Sequence, residues 1–152
     1  MTCLVAVPSI AQKAPQLFVG AGFATKLTPY AFDRYTAGMA KSALPVSLQA
    51  GLTFRVAPEI DAAALVVTLP EVDSDGSTLS FPIGEVRVKF TDGFPGWVSI
   101  GAGRIIGQNR KQSWIETISY GFPLSGKSYL ELRHITDEGS SSLNLLTFGI
   151  KI

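Results

Sequence analysis

The chain has 152 residues, a formal net charge of +1 and only 16% charged residues, with a mean hydropathy of +0.27. That length excludes two ordinary domains, and the near-neutral charge excludes a global field for nucleic acid. The composition is too apolar for an average soluble domain, yet no run of ~20 apolar residues could cross a bilayer as a helix; backbone groups in lipid must pair internally, so the remaining membrane option is a closed sheet.

Residues 1–12 (MTCLVAVPSIAQ) read as the remnant of a signal peptide. A short apolar run precedes Ser9 and Ala11, which are placed like the small residues before a cleavage site, although the basic leader is missing. This predicts export and leaves 13–152 as a single barrel domain. Cys3 is alone, so neither a disulfide within the chain nor a cysteine metal cluster is expected.

From there the chain is strand and turn. Leu17, Val19, Ala21 and Phe23 alternate with Phe18, Gly20, Gly22 and Ala24. The connection Thr28–Ala43 carries an aromatic and basic cluster, Tyr30, Phe32, Arg34 and Tyr35, the best candidates for contact with an outside partner. From Leu44 to Val56 the alternation holds for 13 residues. An ordinary strand needs about 5–6 and a tilted membrane strand ~9–11. An Ala57-Pro58-Glu59 turn leads into a weaker strand at 60–70, followed by an acidic loop at Glu71–Thr78. Val86, Val88 and Phe90 then alternate with Glu85, Arg87 and Lys89, ahead of a compact Asp92–Gly96 turn. Val98, Ile100 and Ala102 alternate with Ser99, Gly101 and Gly103, and a basic loop follows at Gln108–Gln112. A second weak strand at 113–124 reaches a Ser125-Gly126 turn. Leu130 and Leu132 alternate with Tyr129, Glu131 and Arg133 before the Asp137–Ser141 loop. Leu146, Phe148, Ile150 and Ile152 close the chain against Thr147, Gly149 and Lys151.

The second, fourth and sixth connections are the tight ones. Short turns at one end and longer loops at the other are the habit of outer-membrane barrels. The sequence therefore predicts an all-β fold, an eight-stranded antiparallel up-and-down transmembrane β-barrel, located in the outer membrane and monomeric.

Periodicity alone does not say which face points out, so a soluble lipocalin-like ligand-binding barrel stays open as an alternative. Two features favour the apolar set outside. The polar face is rich in Gly, Ser and Thr, which suit a crowded lumen. Its charges also come as mixed sets, Glu85/Arg87/Lys89 and Glu131/Arg133, as expected of a paired network inside a barrel. Trp97, Trp114, Tyr120 and Phe122 lie near strand ends, where interface girdles form. The chain end, with Phe148, Ile150 and Ile152 at alternate positions, resembles the C-terminal signature that outer-membrane barrels present to their assembly machinery, though that signature usually ends in an aromatic residue.

Residues that could carry chemistry are few. His134 is the one histidine, glycine-rich stretches are followed by strand rather than helix, and no metal site, phosphate loop or cofactor is expected. The segment Leu130–Gly139 (LELRHITDEG) resembles the penultimate strand of the outer-membrane lipid A deacylases. That family carries a His-x-Ser-Asn motif there, the base and nucleophile of an esterase on the outer wall. His134-Ile135-Thr136-Asp137 occupies the matching positions, with threonine for serine and aspartate for asparagine, and Leu143–Ile152 offers no acid. Pairing Leu124 with Ser128 would set Glu116 opposite Thr136, whereas a two-residue turn at Ser125-Gly126 would turn Glu116 to the other face.

Three readings follow. The first is a non-enzymatic outer-membrane barrel, its lumen filled by side chains, with a structural or surface-contact role among membrane lipids and lipopolysaccharide. The second is a lipid A deacylase-like esterase using His134, Thr136 and Glu116. The third is the soluble barrel.

Overall fold

The computed structural model describes residues 14–26, 46–70, 78–90, 95–106, 114–138 and 142–152. The eight strands are β1 (Gln16–Lys26), β2 (Val46–Ala57), β3 (Ile60–Leu69), β4 (Leu79–Phe90), β5 (Gly96–Arg104), β6 (Trp114–Ser125), β7 (Ser128–Asp137) and β8 (Ser142–Lys151). Each pairs antiparallel with the next, and β8 returns to β1, closing an up-and-down barrel. Closure removes every open sheet edge. The loop-contact candidates Tyr30, Phe32, Arg34 and Tyr35, and the signal-peptide segment, lie outside the described residues.

The tilt follows from the register. From Leu17 the ladder of partners runs through Leu52, Ala64, Gly84, Ala102, Glu116 and Thr136 to Ser142. Yet the Ile152 amide donates to the Leu17 carbonyl at 2.9 Å. One circuit thus climbs ten residues along the last strand, from 142 to 152. Such a stagger in eight strands goes with a tilt of ~35–45°.

Two hairpins share one construction. Between β2 and β3 the turn is Pro58-Glu59, and between β6 and β7 it is Gly126-Lys127, with Gly126 at φ 46°. At Gly126 the turn takes a left-handed conformation, which glycine adopts without strain, whereas the ring of Pro58 holds its own φ negative. In each hairpin the register also shifts just before the turn, at Val56 and at Leu124. One unpaired residue on the incoming strand is a β-bulge.

Exposure settles the faces. Large apolar side chains stand exposed on the outer wall of every strand, among them Leu17, Leu48, Val66, Val86, Ile100, Ile118, Leu132 and Phe148. Their neighbours of opposite parity point into the lumen, where most are buried. This is the reverse of a soluble ligand-binding barrel, so the apolar set lies outside, as the small residues and mixed charges of the polar face favour.

The lumen itself is two-tiered, which the alternation does not predict. Its loop-end half is an apolar plug of Leu65, Val67, Leu69, Leu79, Phe81, Ile83, Ile105, Ile115, Ile135, Leu143 and Leu145. The turn-end half holds Gln49, Glu85, Arg87, Ser99, Ser119, Glu131, Arg133 and Thr147 instead. On the turn-end side of these polar residues Tyr129 meets Trp97 edge-on at 5.4 Å and Phe18 at 6.4 Å. Both Trp97 and Tyr129 lie across glycines on the adjacent strands. A Cβ at Gly121 would come within 2.1 Å of the Trp97 ring, and one at Gly149 within 2.1 Å of Tyr129. Only glycine leaves that room. Trp97 is therefore a lumen residue, 5% exposed, and not part of an interface girdle. Trp114 does stand on the outer wall, as do Tyr120 and Phe122, whose rings lie 6.0 Å apart.

Candidate functional site

Two sets of polar residues stand out, one in the lumen and one on the wall. The lumen set is built by lateral alignment. Arg87, Ser99, Ser119 and Arg133 are successive register partners across β4 to β7, all of inward parity. Arg133 sits at its centre, donating from Nη1 to Glu85 Oε2 and from Nη2 to Glu131 Oε1, each at 2.5 Å. Arg87 Nε donates to Glu85 Oε1 at 2.6 Å, and Gln49 Nε2 donates to Glu131 Oε2 at 3.0 Å. Glu85, Arg87, Glu131 and Arg133, grouped by the alternation into two sets, thus form one network of nearly complete burial. Lys89 stands apart from it, pairing with Asp61 at 2.5 Å nearer the turn end. Asp61 and Gln49 were missed by the sequence reading. Both have inward parity, but β3 shows too little alternation for that parity to be legible around Asp61.

The wall set lies at the loop-end part of β6, β7 and β8. Glu116 is the register partner of Thr136, and both point outward beside His134. The structure combines the two sequence alternatives: the turn is of two residues, and the bulge at Leu124 restores the register that sets Glu116 opposite Thr136. Asn144, the register partner of His134, was not anticipated. Its Oδ1 lies 2.7 Å from His134 Nδ1, and since an amide oxygen only accepts, the contact is made by the ring N–H as donor. The signal for Asn144 was its place in the outward lane of Leu146, Phe148 and Ile150, where a polar residue breaks the pattern.

Below this pair runs a shallow outer-wall groove of about 550 Å³, lined by Val98, Ile118, Tyr120, Leu132 and Leu146 with His134 and Asn144 at its upper end. A second groove of about 490 Å³ joins His134 to Trp114, Glu116, Thr136, Asp137 and Glu138. Chemically, the wall offers an oriented imidazole, a hydroxyl two residues on along the same face, and a carboxylate across from that hydroxyl. Among the described residues no group of histidine, cysteine and carboxylate side chains could hold a metal ion.

A closed eight-stranded wall with apolar side chains outside and charges paired inside defines the class: this is the fold of small transmembrane β-barrels. No protein-family model and no curated protein matches the chain. Solved structures do. Neisserial surface protein A is similar at a TM-score of 0.64 and 12% identity, covering 93% of this chain and 97% of that one. A structure from the de novo design of transmembrane β-barrels is similar at 0.56 and 12% identity, covering 91% and 94%. The designed barrel TMB2.3, solved by NMR in solution, is similar at 0.56 and 12% identity, covering 95% and 98%. At that identity the likeness is one of fold.

Proposed function

We propose that this protein is an integral outer-membrane barrel with a structural or surface-contact role, its turn end toward the periplasm and its lumen filled by its own side chains. The observation that carries the reading is the pairing of an apolar outer wall on all eight strands with an interior packed from plug to charge network. An eight-stranded wall leaves an interior just wide enough for side chains to fill, so it is not a general pore. Contacts with lipid and lipopolysaccharide would fall on this wall and on the loop end. Phe148, Ile150 and Ile152, all exposed on the outer wall, would be offered to the assembly machinery. The protein is expected to require detergent, to run with heat-modifiable mobility on gels, and to give no single-channel steps in planar bilayers. A monomer soluble in buffer would overturn the membrane role, and stable conductance steps would overturn the filled lumen.

A second reading, ester hydrolysis on lipid A, is favoured by one specific arrangement. His134 is oriented by Asn144, with Thr136 beside it and Glu116 opposite Thr136. These suit base, orienter and nucleophile roles, with an apolar groove below for an acyl chain. Lipid A from cells expressing the protein is then expected to lose an acyl chain, and Thr136→Ala to restore the full pattern while the barrel still folds. Unchanged lipid A in cells carrying the unsubstituted protein would end this reading.

A further inference from the structure

The turn-end half of the lumen holds more positive charge than its carboxylates can neutralise. Arg55, Arg87, Lys89, Arg133 and Lys151 face it, against Asp61, Glu85 and Glu131. The carboxylates are committed. Glu85 is shared by Arg87 and Arg133, Glu131 by Arg133 and Gln49, and Asp61 by Lys89 and, at 3.6 Å, Arg55. Among the described residues Lys151 then has no ion-pair partner, and it shares this half of the lumen with Lys89, Arg87 and Arg55.

Two of these cations, Arg87 and Lys151, stand over one side chain. Arg87 Cζ lies 5.4 Å from the centre of a Trp97 ring, and Lys151 Nζ lies 5.3 Å from the centre of a ring of the same tryptophan. Phe18 holds the guanidinium from another side at 4.6 Å. Two buried donors here, Arg87 Nη2 and Trp97 Nε1, give their hydrogens to no described group. Arg87 is 4% exposed and Trp97 5%, so neither donor is left to bulk water. Leaving such a donor unpaired costs about 1–3 kcal/mol, more when it is charged. Asp61 Oδ1 is also buried without a hydrogen-bond partner and could only accept, but it pairs with Lys89 and Arg55, whereas the two cations over Trp97 and its own N–H can only donate. A guanidinium, an ammonium and an indole N–H have no acceptor capacity, and the guanidinium fork matches a planar or tetrahedral oxyanion. The mouth above it is marked by the part-exposed Arg55 and Lys89.

We propose that the turn end of the lumen is an oxyanion-binding site, in which one phosphate or carboxylate group is held by Arg87 Nη2, Lys151 Nζ and Trp97 Nε1. The site goes beyond a filled structural barrel, because it gives the lumen a ligand taken in from the turn end only, with the apolar plug closing the other side. Lys151 is the group whose role there is least shared, since it belongs to no internal ion pair among the described residues.

The test uses the full chain in zwitterionic detergent and follows the indole N–H resonances during titration with sodium phosphate, sodium acetate or sodium chloride at matched ionic strength. The sequence has two tryptophans, so Trp114 on the outer wall is an internal control. Trp97 is expected to shift and saturate with phosphate or acetate, the better of the two naming the preferred group, while Trp114 stays still. Lys151→Met is expected to weaken that binding at least tenfold with heat-modifiable mobility retained. If Lys151→Met does not fold, Lys151→Gln removes the same charge. Shifts equal in all three salts, or unchanged affinity in the lysine variant, would overturn the site.

Discussion

Replacing Arg133 with methionine is expected to remove about 3–5 kcal/mol of stability, the cost of breaking a buried ion pair by deleting one partner. The side chain is 1% exposed and holds Glu85 and Glu131 at once. Glu85 would keep only Arg87, and Glu131 only the amide of Gln49. The second carboxylate is the worse placed, for Glu131 is fully buried and would retain no cation. Neutralising it should therefore help. The double variant Arg133→Met, Glu131→Gln is expected to be more stable than Arg133→Met alone, with the difference read from urea unfolding in micelles. If the double variant is instead the less stable, the loss comes from packing around the methylene stem rather than from stranded charge.

How much of this was legible depends on the segment. β2 announces both its faces, because Ser47, Gln49, Gly51 and Thr53 separate its outward aliphatics. The loop-end halves of β3 and β4 do not. Leu65, Val66 and Val67 are apolar on both faces, since one face meets the outside and the other the plug. A strand buried on one side and apolar-coated on the other has no alternation to read, and the two-tiered lumen was invisible for that reason. Trp97 is a different case. Its parity groups it with Ser99 and Gly101, and only its nearness to a strand end suggested a girdle. The glycine across from it, Gly121, marks the room an inward indole needs. On the wall, the pairing of Glu116 with Thr136 turned on a bulge that no turn signal encodes. The contact of His134 with Asn144 turned on the register across a loop, where sequence sets no rule.

The wall gives the sharpest test of the membrane role, through depth. Leu132 lies midway along β7, 51% exposed, with Tyr120 and Leu146 as register partners on either side. Arginine on the lipid face of a barrel costs about 2–4 kcal/mol at the bilayer midplane and ~0–1 kcal/mol near the interfaces. Leu132→Arg is accordingly expected to fall in the first range, measured by reversible unfolding from lipid vesicles. Ile106, equally exposed at 50% but just past the loop end of β5, is expected to tolerate arginine within the second. A water-facing wall makes the opposite forecast: both are surface changes with no lost contact, and both would stay within about 0.5 kcal/mol. The contrast between the two positions therefore separates lipid from water around the same barrel wall. Equal and small effects at Leu132 and Ile106 would remove the bilayer from around this barrel.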